Sequence, residues 1–363
     1  MSIQKIKLEN IFLFGILLLF ISCKGQPSPT QKTAQTTKIA IGAIAPKLPE
    51  QIWCIHQDQK NNYWFGSNGE GAFRYDGKQL IQLTKKEGMA ANQIRGIQED
   101  KSGHIFFDTP QGVSKFDGNS LTTLHPSFSE ENKWKSHPDD LWFKGNGDVN
   151  GVYRYDGKTL SHLKFPEYDL EKAFGVEMAE SPYSPYGVYS IYKDGGGTLW
   201  FGTLAAGVYR FDGNSLWISE KELTVLDDGR APGIRSIIED KDGNFWLSNI
   251  LSRYRMFKNN PTGQINYEKL QGIQPSEGAD DMAFPYFMSA VTDDKNKDLW
   301  MVTYNDGVWK YDGKKLVNYQ IFNGTQQAFL FSIYKDNQGV LWLGTQNAGL
   351  QKFNGTTFEE FRI

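Results

Sequence analysis

A guanidinium grips an oxyanion or a sugar hydroxyl through paired N–H donors, and two arginines stand in closely similar settings, Ile94-Arg95-Gly96 and Ile234-Arg235-Ser236. They are the first candidates for chemistry, as an anion or sugar-hydroxyl site, with a structural ion pair as the plainer alternative. Groups for acid–base or metal work are scattered by comparison. The five histidines are His56, His104, His125, His137 and His162, and no two have H-x-x-x-H or H-x-H spacing. No Ser elbow and no Cys/His pairing accompanies them. His125, His137 and His162 do fall in one irregular stretch, which makes a metal measurement worthwhile. Segments such as Asp240-Lys-Asp242-Gly243-Asn244 suggest calcium only loosely, because the run of oxygen ligands and the distal Glu of a calcium loop are absent. An Asp capping its own turn explains them better.

The elements that position these residues are written as a repeat. One copy runs Val188-Tyr-Ser-Ile191-Tyr-Lys-Asp194, then Leu199-Trp200-Phe-Gly202-Thr, then Gly207-Val-Tyr-Arg-Phe-Asp212-Gly213, and the copy around Trp342 nearly paraphrases it. With Trp as register mark, copies fall at Trp64, Phe106, Trp142, Trp200, Trp246, Trp300 and Trp342. An Asp stands six residues earlier in six of them: Asp58, Asp100, Asp194, Asp240, Asp294 and Asp336. Within a copy, apolar residues alternate or cluster in short runs bounded by Asp, Gly and Asn, the pattern of strands and turns. Asp-Gly pairs at 76, 117, 156, 212 and 312 supply positive φ for tight hairpins, with Asn354-Gly355 in the last copy. Four strands per copy make a blade, and blades close into a ring. The expected fold is all-β, a seven-bladed β-propeller of four-stranded antiparallel blades. Copy 3 has Lys133–Asp140 where a first strand should be, and copy 5 loses its Gly-Val and Asp-Gly, so six or eight blades stay open. For closure, Phe358–Ile363 is expected to end blade 7, with Lys38–Ile44 adding a strand to it.

Composition agrees. The 363 residues are 39% hydrophobic and 22% charged, as in a globular protein, while 37 Gly and 14% aromatics favour ring-rich strands joined by turns over long helices. A net charge of −3 without a basic tract argues against a nucleic-acid partner. Ahead of the repeats, Ile11–Ile21 is an apolar run too short to span a bilayer but suited to a secretory signal, and Phe20-Ile21-Ser22-Cys23 resembles a bacterial lipobox. The expected organisation is a signal peptide over 1–22, a lipidated Cys23 and flexible tether over 23–37, and the propeller over 38–363. Attachment is then to a membrane through the lipid anchor only, in the cell envelope, at an outer membrane and facing the periplasm. Cys54, left single between Trp53 and Ile55, reads as a small buried filler.

The units V-x-x-I-x-x-D-x-x-G-x-L-W-F-G-T-x-x-x-G-V-Y-R-Y-D-G resemble two-component regulator propeller repeats, the periplasmic sensor halves of bacterial hybrid histidine kinases. The resemblance covers nearly the whole mature chain and speaks to fold more than to chemistry. It implies a ligand-binding sensor domain. The kinase, receiver and DNA-binding modules of that family are not found before Ile363, so a stand-alone lipoprotein without phosphorelay chemistry is expected.

Residues that break the repeat carry the functional expectation, since the core does not require them. Trp53, Trp134 and Trp217 have no counterparts in other copies. Five residues before each motif Asp stand Trp53, Arg95, Tyr189, Arg235, Ser289 and Phe331, and the next residue is always small: Cys54, Gly96, Ser190, Ser236, Ala290 and Ser332. Small residues let the first strands converge on the channel, with their variable neighbours near one mouth. The connections 161–187, 217–233 and 259–286 are long and carry Tyr183, Tyr186, Trp217, Arg230 and Tyr286, and the short loop at Tyr304 points to the same mouth. The expected ligand-binding set is Arg95, Arg235, Trp53, Tyr189, Trp134, Trp217, Tyr186, Tyr286 and Tyr304. No catalytic residue, metal or cofactor is assigned. The expected function is a non-catalytic, monomeric binding module for a glycan or peptide, or for an envelope protein partner. The alternatives are a metal-dependent propeller lyase resembling streptogramin lyases and a pure assembly scaffold.

Overall fold

The computed structural model describes residues 41–129, 131–145, 147–175, 177, 178, 180–212, 215–218, 233–258, 265–273 and 286–363. The signal segment, Cys23, the tether, Arg230 and most of the connections around 219–232 and 274–285 lie outside them. Seven small sheets form the blades of a β-propeller, and in five of them the four strands run from the channel outward in chain order. Blade 1 is Ile52–Gln57, Tyr63–Ser67, Ala72–Tyr75 and Leu80–Leu83, and blade 4 is Val188–Lys193, Leu199–Thr203, Val208–Phe211 and Ser215–Ile218. Blade 7 is Leu330–Lys335, Leu341–Thr345, Leu350–Phe353 and Phe358–Glu360. Copy 5 is a full blade, its third and fourth strands lengthened to Ser252–Lys258 and Ile265–Gln271. Part of the connection expected at 259–286 is therefore the outer strand of blade 5.

The motif Asp and Trp form one device. Trp64 Nε1 donates to Asp58 Oδ2 at 2.8 Å while Asp58 Oδ1 accepts the backbone N–H of Lys60 and Asn62, so one carboxylate caps its turn and pins the ring of the next strand. The same bond joins Trp200 to Asp194, Trp246 to Asp240 and Trp342 to Asp336. In blade 2, where Phe106 has no N–H to give, His104 Nδ1 lies 2.8 Å from Asp100 instead. Blade 6 departs from the expected register: Trp300 pairs with Asp293 rather than Asp294, which lies exposed beside Lys335. The indoles of Trp64, Trp200, Trp246 and Trp342 are fully buried between blades, each stabilising by roughly 1.5–3 kcal/mol through area removed from water. The Asp-Gly corners are four-residue turns rather than two-residue hairpins. Asp76 Oδ1 accepts from Lys78 and Gln79 and Gly77 takes φ 91°, a pattern repeated at Asp117, Asp156, Asp312 and Asn354.

Ring closure differs from the expectation. The strand Ala43–Ile44 pairs antiparallel with Leu80–Leu83 at the outer edge of blade 1 and adds nothing to blade 7. Blades 1 and 7 meet instead through side chains and a backbone bond from Gly349 N–H to the Glu50 carbonyl at 3.1 Å. Ile52, Phe65 and Leu80 share one core with Trp342 and Leu350, and Tyr63 Oη donates to Asp336 at 2.7 Å.

Blade 3 departs from the four-stranded antiparallel pattern. Its sheet holds Leu141–Phe143, Val152–Tyr155 and Leu160–Leu163, and the fourth member, Ser127–Phe128, runs parallel to the outermost of these. The innermost strand of the other blades has no counterpart here. Lys133–Asp140 takes a different course, with Trp134 packed against Trp142, Phe165, Phe201 and Phe211 in the core between blades 3 and 4.

Candidate functional site

Strands alternate in direction, so the loops between second and third strands share one end of the ring with the connections between blades. At that end the innermost strands begin, and three of them carry a β-bulge: register shifts lie between Ile52 and Cys54, Val188 and Ser190, and Leu330 and Ser332. A bulge re-aims the side chain it inserts. The inserted residues are Trp53, Tyr189 and Phe331, and with Arg95, Arg235 and Ser289 from blades 2, 5 and 6 they line one cavity of about 560 Å³. All six variable positions read from the repeat therefore meet in one place. Trp53 stacks on Phe331 with centroids 4.6 Å apart and planes within 3°, and its Nε1 donates to Gln346 at 2.9 Å. The small residues beside them work between blades: Ser190 Oγ donates to the Ile234 carbonyl at 2.7 Å.

The cavity is cationic. Arg235 lies over the Tyr189 ring, 4.1 Å from its centroid, and Arg95 donates to the Gly145 carbonyl at 3.1 Å. Lys144, which composition and repeat spacing did not single out, lines the same wall. Among the described residues no carboxylate lies within ion-pair distance of these three side chains. Burial holds the Lys144 ammonium below the usual lysine range, with Arg95 and Arg235 adding to the shift and Asp108 opposing it. Asp108, 2% exposed, is pushed up by burial against the pull of Lys144 and Arg95. The Cys54 thiol is pushed up to about 12 by burial, which leaves almost no thiolate at neutral pH and fits a packing role.

Lys144 and Asp108 were nevertheless visible in the sequence. They occupy the register of the motif glycine, Gly66, Gly202 and Gly344, two residues after the Trp mark. A Cβ at Gly202 would lie 2.3 Å from the Ile234 carbonyl, and one at Gly344 would lie 2.5 Å from that of Ile52, because the next blade's first strand passes there. Blade 3 has no such strand, so blade 2 has room for Asp108. Blades 5 and 6 carry Ser248 and Val302 at this register, so a side chain is tolerated there, and an ionisable one in blades 2 and 3 was the missed signal.

The other expected site residues lie elsewhere. Trp134 donates to the Lys164 carbonyl from within the core between blades 3 and 4. Tyr186 is 7% exposed in that core, its hydroxyl donating to the Tyr168 carbonyl at 2.7 Å and accepting from the Tyr168 N–H. The Trp217 backbone is in the outermost strand of blade 4, opposite Tyr209 and away from the channel. Tyr286 borders a small apolar cleft with Ile250 and Trp309 rather than the cavity. Tyr304 is exposed and stacks on Phe329 at 5.1 Å, outside the cavity lining. Tyr183, from the 161–187 connection, does reach the cavity, beside Gly147. The three histidines do not converge: His162 is buried with Nε2 2.7 Å from the Asn150 carbonyl, whereas His137 is exposed beside Asp139. Among the described residues no group of three His, Cys, Asp or Glu is placed to hold a metal ion. No described helix is long and apolar enough to cross a membrane.

The profile of the two component regulator propeller matches residues 47–69, 182–205 and 324–347, each running from a blade connection through the innermost and second strands, in blades 1, 4 and 7. In those three stretches the chain is similar to two component regulator propeller repeats. Among solved structures it is similar to the extracellular domain of BT4673, a one component system of B. thetaiotaomicron, at 21% identity and TM-score 0.55, over 86% of this chain and 39% of that one. The propeller thus spans about two-fifths of the BT4673 domain. It is similar also to virginiamycin B lyase from Staphylococcus aureus, at 13% identity and TM-score 0.55, over 84% of this chain and 94% of the lyase. A third likeness is to PorZ, a surface component of the type-IX secretion system of Porphyromonas gingivalis, at 13% identity and TM-score 0.51, over 84% of this chain and 46% of PorZ. At these identities the likeness is one of fold. No curated protein matches the sequence.

Proposed function

We propose that this protein is a non-catalytic binding module of the cell envelope, of the sensor-domain type, that takes a glycan or a peptide at the mouth of its channel. The observation that carries this reading is the convergence of Trp53, Arg95, Tyr189, Arg235, Ser289 and Phe331, the variable residues of an otherwise uniform repeat, on one cavity. A pocket of this size, with stacked rings and a few polar groups, has the make-up of small-ligand sites. The similarity to an extracellular sensor domain supports the reading, as does the lipobox-like segment at Cys23, which gives the anchoring to a membrane. A second reading, docking of a protein, draws on exposed Phe322, Tyr304 and Phe329 at the same end of the ring. The test is a glycan and peptide array probed with the protein and with Ser289→Trp, which fills the cavity. A ligand retained by wild type and lost by the variant, at unchanged melting temperature, supports the channel site. A ligand bound equally by both places recognition elsewhere.

A further inference from the structure

The unusual blade of this propeller and its cations belong together. In six blades the inner edge of the second strand is hydrogen-bonded to a first strand; in blade 3 no such strand is found among the described residues. The edge left open is Leu141–Phe143 and the residues after it, and side chains of blade 2 satisfy it. Gln98 donates its amide to the Trp142 carbonyl at 2.6 Å, Asp108 Oδ2 accepts the Lys144 N–H at 2.9 Å, and Arg95 donates to the Gly145 carbonyl. Three side chains stand in for a strand. The cavity reaches this edge, with Arg95, Lys144 and Gly145 in its lining.

Charge follows from this substitution. Arg95, Lys144 and Arg235 come from blades 2, 3 and 5 and line the same cavity. Among the described residues no carboxylate lines the cavity, and the nearby Asp108 is already engaged with the Lys144 backbone. Like charges gathered in a partly desolvated wall cost free energy unless a counter-charge joins them. At the third strands some cations are matched by carboxylates, Arg154 by Asp140, Arg210 by Asp212 and Lys310 by Asp298, and others, Arg74, Lys115 and Lys352, lie singly over aromatic rings. The channel wall differs in gathering three cations at one cavity.

We infer that the lane vacated by the missing strand of blade 3 is an anion subsite, in which Arg95, Lys144 and Arg235 hold one carboxylate or sulfate group of a small cyclic ligand while the Trp53–Phe331 side of the cavity takes its ring. This rests on the channel-mouth reading above and gives it a ligand chemistry, an acidic saccharide. A saccharide is favoured over an acidic peptide because the cavity offers the rings of Trp53, Phe331 and Tyr189 beside its cations, and the open strand edge of blade 3 that a peptide could extend is already occupied by Gln98, Asp108 and Arg95. Arg235 brings a guanidinium fork already oriented on the Tyr189 ring, and Lys144 a point charge that a bound anion would keep protonated.

The experiment is calorimetric titration of the protein with trigalacturonate, with its fully methyl-esterified, uncharged counterpart, and with triglutamate. It is repeated on Arg235→Gln and Lys144→Met and at two salt concentrations, with melting temperature as the folding control. The expected result is binding of trigalacturonate that weakens at least tenfold in each variant and with added salt, and little binding of the ester or the peptide. Equal binding of the acid and the ester, or unchanged affinity in both folded variants, overturns the anion subsite. Preference for triglutamate overturns the choice of a saccharide. Absence of any trigalacturonate binding overturns the inference as stated, while a neutral array ligand displaced by Ser289→Trp would leave the channel-mouth reading standing. If Lys144→Met fails to fold, Arg235→Gln, whose side chain makes no hydrogen bond across blades among the described residues, carries the test.

Discussion

Asp336 is where the repeated Asp–Trp device also closes the ring, and its removal has a calculable cost. Its carboxylate is 5% exposed and accepts four hydrogen bonds: Oδ1 from Gln338 N and Val340 N at 3.0 and 2.8 Å, Oδ2 from Trp342 Nε1 at 2.8 Å and Tyr63 Oη at 2.7 Å. A hydrogen bond to a charged group contributes about 1.5–3 kcal/mol net, and a buried donor left without a partner costs about 1–3 kcal/mol. The bonds share one acceptor and do not add, so Asp336→Ala is expected to cost about 4 kcal/mol, near the upper end for a single substitution. Asp336→Asn keeps the two backbone acceptances and lets Tyr63 turn its hydroxyl to accept. It sets an amide N–H against the indole N–H of Trp342, and about 2 kcal/mol should be lost. The assay is urea unfolding of each variant and of Tyr63→Phe, with Asp312→Ala as control, because Asp312 caps only its own exposed turn. Tyr63→Phe and Asp336→Ala should couple by about 1 kcal/mol in a double-mutant cycle, the part of the cost that belongs to ring closure. An Asp336→Ala midpoint no lower than that of Asp312→Ala would refute the reasoning, since the buried Trp and interblade bonds would then contribute nothing.

Two further predictions use the same geometry. Gly202→Ala should destabilise by about 2–3 kcal/mol in thermal or urea unfolding, because its Cβ would meet the Ile234 carbonyl at 2.3 Å and blades 4 and 5 would have to part; a loss below about 0.5 kcal/mol would show that the strand can shift at little cost. His162 is held below its ordinary value of 6.5 by burial, against the Asn150 hydrogen bond. A depressed folded value means its contribution is present above pH 6.5 and is lost as pH falls through the lower value. Glu99 and Glu239, raised by burial, act in the opposite sense. The readout is therefore the difference in melting temperature between wild type and His162→Gln from pH 7.5 to 5, which should shift in the variant's favour as pH falls; a constant difference would mean His162 does not titrate against folding.

Much of the ring was legible in the chain because each blade repeats the same local solution. The Trp marks, the capping Asp and the Asp-Gly corners are set by contacts within a few residues, and their spacing in sequence is their spacing in the blade. The variable position five before the Asp was legible for the same reason: in a repeat, what varies at a fixed register is freed from the common core. The aromatics chosen by novelty alone fared differently. Trp134 and Tyr186 are unmatched in other blades because they plug the irregular junction of blades 3 and 4, and nothing local distinguishes a unique plug from a unique ligand contact. Trp300 pairing with Asp293 shows the limit of exact spacing, since a one-residue difference in turn length moves the cap to the neighbouring carboxylate.

The sequence by itself determined the propeller architecture and the six variable positions at the channel mouth, because hydrophobic period and turn chemistry are short-range and recur in every copy, while the count of seven blades was settled by the structure. The tertiary structure alone decided that blade 3 lacks its inner strand, that the ring closes without a shared blade, and that Lys144 joins Arg95 and Arg235 beside a single buried carboxylate. Those outcomes depend on which strand passes beside which glycine across a blade interface, a contact between residues tens of positions apart that no local pattern encodes.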